Sequence, residues 1–299
     1  MTDVTDTTDF QPLPMPLSGK LLVVEPKFIG ETCYAFTPPQ LHNLAVEICS
    51  FYRSNSRGLL TVTPFVQQVE LNVDGHTVLG QTSTIKNKFP GFLFYIIVSP
   101  FVNGDHSGDS VGYVKSCLYE TGNHETGHLL HLQHSDTWQQ VGNNWSLIPM
   151  QDGLSCMSKD PSAFLAAPQY IFLNWIPVSE VVKVATLPAT FKLQRISSFG
   201  SIEGVGTVAM VASSLTLNGK VLYISYPQGS GFFGSKPTVA LHLEYGNSGS
   251  EKIKQFTNGY YDAHFSGLTV SLVANTDGTI TVTVTDAKPA EPIVNELIE

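Results

Sequence analysis

The chain has 299 residues, 42% of them hydrophobic and only 14% charged, a composition that folds and is long enough for two domains with sizeable cores. Sixteen basic against 25 acidic residues give a formal charge of −9 without any lysine or arginine cluster, so the electrostatic footprint of a nucleic-acid binder is missing. No window approaches the roughly 18 to 20 apolar residues that cross a bilayer, and the polar N-terminus shows no signal peptide.

In chain order, residues 1–18 read as a flexible tail and Leu21 to Val24 as the first strand. TPPQLHNLAVEICSFYRSNSRG then begins like a helix: Thr37 caps, Pro38 suits the first turn and Gln40 completes a capping box. Leu41, Leu44, Ala45, Ile48 and Tyr52 fall on one helical face, and Gly58 offers the stop. Leu59 to Val66, Val69 to Val73 and Phe92 to Val98 are apolar runs of strand length, and Gly112-Tyr113-Val114 reads as a short edge strand. Between them, Asp105, His106 and Asp109 belong to a polar surface loop.

A second helix is expected at the histidine-rich segment described below, and 135–165, punctuated by Gly, Asn, Ser and Pro, reads as irregular. Beyond Val178, VVKVATL, TFKLQRI, TVAMV, KVLYISY, TVALHLEY, LTVSLVA and TITVTVT recur as short alternating runs, with hairpin signals at Asn218-Gly219 and Asp277-Gly278. The expected layout is a 1–18 tail, an α+β domain over 19–180 with a mixed twisted sheet and two main helices, an all-β sandwich over 181–287, and a 288–299 tail. Cys33, Cys49, Cys117 and Cys156 include no CxxC pair, which argues against a cysteine-zinc site and leaves disulfide pairing open.

The chemistry concentrates in HETGHLLHLQH, residues 124 to 134. His124 and His128, four apart on a helix, stack on one face and can aim two imidazole nitrogens at one zinc ion. Glu125 sits beside the first of them as a free carboxylate able to take a proton from a water that the metal has acidified. A five-residue HExxH match arises by chance in many proteins, and His134 is what raises its weight. It follows the second histidine by six residues, matching the metzincin pattern HExxHxxGxxH, whose chain turns after the helix to bring back a third ligand. Three nitrogens leave a fourth tetrahedral position open, as in a catalytic zinc site.

Position 131, glycine in that pattern, is histidine here. A helix continued through His131 would carry it about 10 Å along the axis from His124, too far to share one zinc. The expectation is a helix ending near 130, a left-handed His131 pointing away from the metal, and His134 as the third ligand. Metzincins also need a methionine turn beneath the metal, and Met157 in DGLSCMS supplies a candidate, with Met150 as competitor. A thermolysin-like site would need a later helical glutamate, yet the first Glu after the motif is Glu180 in a β-rich stretch, and no GxSxG marks a serine hydrolase.

On HETGHLLHLQHS, on SCM followed by FLAAPQYIFLNWI, and on the β-rich tail containing KVLYISYPQGSG, the chain resembles the gametolysin-like metzincin peptidases. That resemblance implies a secreted zinc endopeptidase acting on protein substrates such as extracellular matrix glycoproteins. His124, His128 and His134 would be ligands, Glu125 the base and Met157 the turn. The peptide would lie along the edge strand Gly112, Tyr113 and Val114. The chain departs from the family at His131, in lacking a visible leader and in lacking an inhibitory propeptide. The alternative is a non-catalytic matrix-binding or adhesion protein with a vestigial zinc domain.

Overall fold

The computed structural model describes residues 11–72, 78, 80–102, 110–141, 144–159, 164–196, 202–217, 219–227, 237–245, 248–257, 259–262 and 264–286. Asp105, His106, Asp109, Asn218 and most of both expected tails lie outside these residues. The chain divides into two compact units, Met1–His134 with Asp152–Leu165, and Ser135–Gln151 with Ala166–Glu299.

The first unit runs β1 (Leu17–Lys27), α1 (Pro38–Asn55), β2 (Leu60–Glu70), α2 (Thr82–Lys88), β3 (Phe94–Val98), β4 (Val111–Val114) and α3 (Tyr119–Leu129). Strand order is β2-β1-β3-β4. Among the described strands every pairing is parallel, where a mixed sheet was expected. Parallel neighbours need crossovers, and α1 supplies the one from β1 to β2. Helices that return across the sheet cover it, and the central strands are correspondingly apolar throughout: Leu21 to Val24 and Phe94 to Val98 are all buried. Leu21 and Phe94 meet Ile48 and Tyr52 of α1 on one face, while Leu22, Val24, Tyr95 and Ile97 pack with Ile85 of α2 on the other.

Of the two runs read as separate strands, Leu59 to Val66 and Val69 to Val73, residues 60–66 and 69–70 fall in the one strand β2, which pairs with β1 from Leu17↔Leu60 to Lys27↔Glu70, and Val73 lies outside the described residues. Pro64 is tolerated there because β2 ends the sheet among the described strands. The expected capping box at α1 is present: Gln40 N donates to Thr37 Oγ1 at 3.4 Å and Thr37 N to Gln40 Oε1 at 2.8 Å. Arg57, rather than Gly58, takes the first left-handed position after that helix, with φ +54°. The tail reading of residues 17 and 18 is also corrected, since they open β1.

The second unit contains β5 (Ser135–Val141), β6 (Asn144–Ile148), α4 (Ala167–Phe172), β7 (Val181–Val184), β8 (Ala189–Leu193), β9 (Val208–Val211), β10 (Leu222–Ser225), β11 (Val239–Tyr245), β12 (Gly249–Phe256), β13 (Gly259–Tyr261), β14 (Thr269–Ala274) and β15 (Ile280–Thr285). They form a seven-stranded sheet, β6-β5-β12-β11-β10-β9-β7, and a four-stranded one, β13-β14-β15-β8. Leu222, Leu241 and Ile253 of the larger sheet share one core with Val270, Ile280 and Val282 of the smaller. Asp277-Gly278 turns β14 into β15, with Gly278 at φ +81° and Thr279 N donating to Asp277 Oδ1 at 3.0 Å.

Two expectations are corrected here. Residues 135–148, read as irregular, are a hairpin whose β5 pairs in parallel with β12. The expected domain boundary at 180/181 fails for the same reason: the chain enters the second unit at Ser135, leaves it at Asp152 and re-enters at Ala166. All four cysteines are free. Among the described residues no helix is long and apolar enough to cross a membrane.

Candidate metal centre

The helix α3, YETGNHETGHL, has little apolar surface of its own, yet Asn123, His124, Glu125 and Thr126 are all buried. Glycines permit this by letting neighbours come close. A Cβ at Gly122 would stand 2.8 Å from Leu44 Cδ1 and Ile48 Cδ1 of α1. One at Gly112, on β4, would stand 2.9 Å from Ile96 Cδ1 and 3.1 Å from Glu125 Cβ. One at Gly127 would collide with Met157 Sδ. The polar helix is thus wedged between α1, β4 and the loop carrying Met157.

Its C-terminus is built to reverse the chain. His131 N donates to His128 O at 2.9 Å and Leu132 N to Gly127 O at 3.0 Å, the paired bonds of a Schellman ending. That ending requires a left-handed residue between them, and His131 supplies it at φ +67°. Its Nδ1 lies 2.9 Å from the Gln11 carbonyl. Leu132, just beyond, is buried and anchors the reversal.

The reversal brings His134 back to the other two histidines. Ring centroids are 4.8 Å apart for His124 and His128, 4.9 Å for His128 and His134, and 5.3 Å for His124 and His134. One ligand nitrogen from each lies within 4.8 Å of the other two, and this trio is the metal-competent cluster among the described residues. The tautomers suit the role. His124 Nδ1 sits 2.9 Å from the Cys156 carbonyl and His128 Nδ1 2.8 Å from the Leu132 carbonyl. A carbonyl can only accept, so each Nδ1 carries the proton and each Nε2 keeps its lone pair for a metal. The two Nε2 atoms are 3.2 Å apart. Tetrahedral zinc, with bonds of about 2.0–2.1 Å, sets its ligands roughly 3.3 Å apart, a spacing that these two nitrogens match.

Glu125 is 4% exposed and neighbours His124 on the helix. Met157 is fully buried against Gly127, whereas Met150 lies in the second unit with φ +55°. Gly112, Tyr113 and Val114 belong to β4, which ends the sheet among the described strands. Burial pushes the Cys156 thiol up to about 12. Three contributors escaped the sequence reading: the backbone carbonyls of Cys156 and Leu132, and Tyr52, whose hydroxyl reaches this helix. Carbonyl partners leave no trace in residue identity, and Tyr52 read simply as part of an apolar helix face.

No family model matches the chain, and no curated protein is similar to it. Among solved structures, wild-type OgpA from Akkermansia muciniphila is similar at a TM-score of 0.36 and 11% identity, over 85% of this chain and 97% of that one. Catalytically inactive OgpA in complex with an O-glycopeptide (glycodrosocin) substrate is similar at 0.34 and 10%, over 88% and 99%. Likeness at that level leaves the site's own geometry to carry the functional reading.

Proposed function

We propose that the chain is a zinc-dependent endopeptidase of the metzincin type. The observation that carries this reading is the convergence of His124, His128 and His134 on one point, with Glu125 buried beside the first of them. His124, His128 and His134 would hold the zinc ion, which would supply Lewis acidity toward a scissile carbonyl and an attacking water. Glu125 takes the proton of that water and delivers it to the leaving amine, one carboxylate serving as base and then acid. The carbonyls of Cys156 and Leu132 keep the rings of His124 and His128 in orientation. An extended peptide docks on β4 as an added strand, along Gly112, Tyr113 and Val114, which sets its register.

In this reading Met157 is the floor of the site, packed under Gly127. The second unit acts as a β sandwich, its two sheets facing across one core. The gametolysin-like resemblance adds extracellular glycoprotein matrices as the substrate class, and it rests on the sequence segments alone. Casein or gelatin digestion with and without chelator tests the proposal, with Glu125→Ala as control. Chelator-sensitive cleavage that Glu125→Ala lacks is expected. No cleavage by the zinc-loaded chain would favour the matrix-binding alternative.

A further inference from the structure

Beneath the three histidines, one phenol touches both segments that hold His124. Tyr52 stands near the end of α1 and is 1% exposed. Its hydroxyl donates to the carbonyl of Asn123, the residue before His124. The same hydroxyl is hydrogen-bonded to the Cys156 thiol, and the Cys156 carbonyl is the group that takes His124 Nδ1 at 2.9 Å. The Tyr52 hydroxyl thus meets the Cys156 side chain and the Asn123 carbonyl together. A Cβ on Gly127 would stand 3.2 Å from that hydroxyl oxygen, so the phenol also lies against the turn between His124 and His128.

We infer that Tyr52 is a positioning residue for the metal centre, fixing His124 from two sides, through the backbone of Asn123 and through the loop of Cys156. The inference rests on the metal reading of the three histidines. A histidine ligand is oriented by the acceptor on its other nitrogen, and that acceptor is only as fixed as the loop bearing it. The loop makes its own tight turns, Ser155 N to Asp152 O at 3.0 Å and Ser158 N to Ser155 O at 3.2 Å. The Tyr52 hydroxyl links it to the helix that carries His124. Tyr52→Phe removes this link while keeping the ring, and the Asn123 carbonyl retains its helical partner four residues on.

A tyrosine that merely fills the core would lower stability without touching metal affinity, and this separates the two roles. Zinc affinity is measured on the full chain by competition with a chromophoric chelator, beside urea unfolding of the metal-free protein. Tyr52→Phe is expected to weaken zinc binding about tenfold, the lower end for partners behind a ligand. Cys156→Ala should weaken it in the same direction, and Cys156→Ser, which keeps a donor, should restore most of the loss. Should Tyr52→Phe fail to fold, the Cys156 pair carries the same test. Unchanged zinc affinity in Tyr52→Phe, or in Cys156→Ala where that variant stands alone, overturns the inference while leaving the metal site intact. A wild-type chain that takes up no zinc overturns both.

Discussion

Gly127→Ala is a substitution whose sign the packing decides. In an open helix, alanine for glycine gains up to about 1 kcal/mol. Here the new methyl meets Met157 Sδ, with Met157 Cε and the Tyr52 hydroxyl oxygen each 3.2 Å away. Met157 is fully buried and Tyr52 1% exposed, so neither has free space to move into. Overpacking of this kind costs about 1–3 kcal/mol, and the net expectation is a loss of up to roughly 2 kcal/mol once the propensity gain of about 1 kcal/mol is subtracted. The assay is urea unfolding of the metal-free chain, followed by the far-ultraviolet helix signal. A double-mutant cycle isolates the contact. Met157→Ala alone costs about 2–5 kcal/mol, but in that background Gly127→Ala should turn stabilising. If Gly127→Ala stabilises the otherwise unaltered chain, Met157 does not lie beneath the helix and the description of the site's floor is wrong.

Glu125→Ala should retain zinc and fold while peptidase turnover falls by about 10²–10⁴-fold, the usual contribution of a general base; near-normal turnover would remove Glu125 from the mechanism. His131→Gly exchanges left-handed strain of about 1–2 kcal/mol for glycine's entropy of about 0.5–1 kcal/mol. It also loses an exposed bond to Gln11 worth about 0.5 kcal/mol, so unfolding should shift by less than about 1 kcal/mol, whereas His131→Val should lose about 1–3 kcal/mol. Desolvation raises the Glu244 carboxyl above its ordinary range, only partly offset by Tyr223. A raised acid favours the folded state below the ordinary carboxylate pKa, and that advantage is lost as pH climbs through the raised value. Glu244→Gln should therefore flatten the pH dependence in that window and stabilise the chain at neutral pH, as unfolding midpoints across the window would show.

The parts of the molecule legible in the sequence are those governed by local rules. The spacing of His124 and His128 follows from helical period, the start of α1 from Thr37 and Gln40, and the left-handed His131 from the need to turn before His134. What stayed hidden depends on distant partners. SGSEKIKQF contains β12, yet its charges mask it; Glu251 is buried there because Trp138 Nε1 donates to it at 2.9 Å and Lys220 pairs with it at 3.3 Å. The hairpin of β5 and β6 lacks regular alternation and owes its place to pairing with β12, more than a hundred residues away. TSTIKNK carries a single buried apolar residue, Ile85, too little for a periodic signal, though it forms α2. The same holds at the site, where Tyr52 reaches a carbonyl 71 residues away.

The measurement that bears most directly on the central claim is zinc content per chain, determined after exhaustive dialysis for the unaltered protein, His131→Gly and His134→Ala. The account predicts one zinc in the first two and none in the third, because His134 is in the cluster and His131 turns the chain with its ring toward Gln11. Loss of zinc in His131→Gly with retention in His134→Ala would contradict it, as would an unaltered chain that holds no zinc.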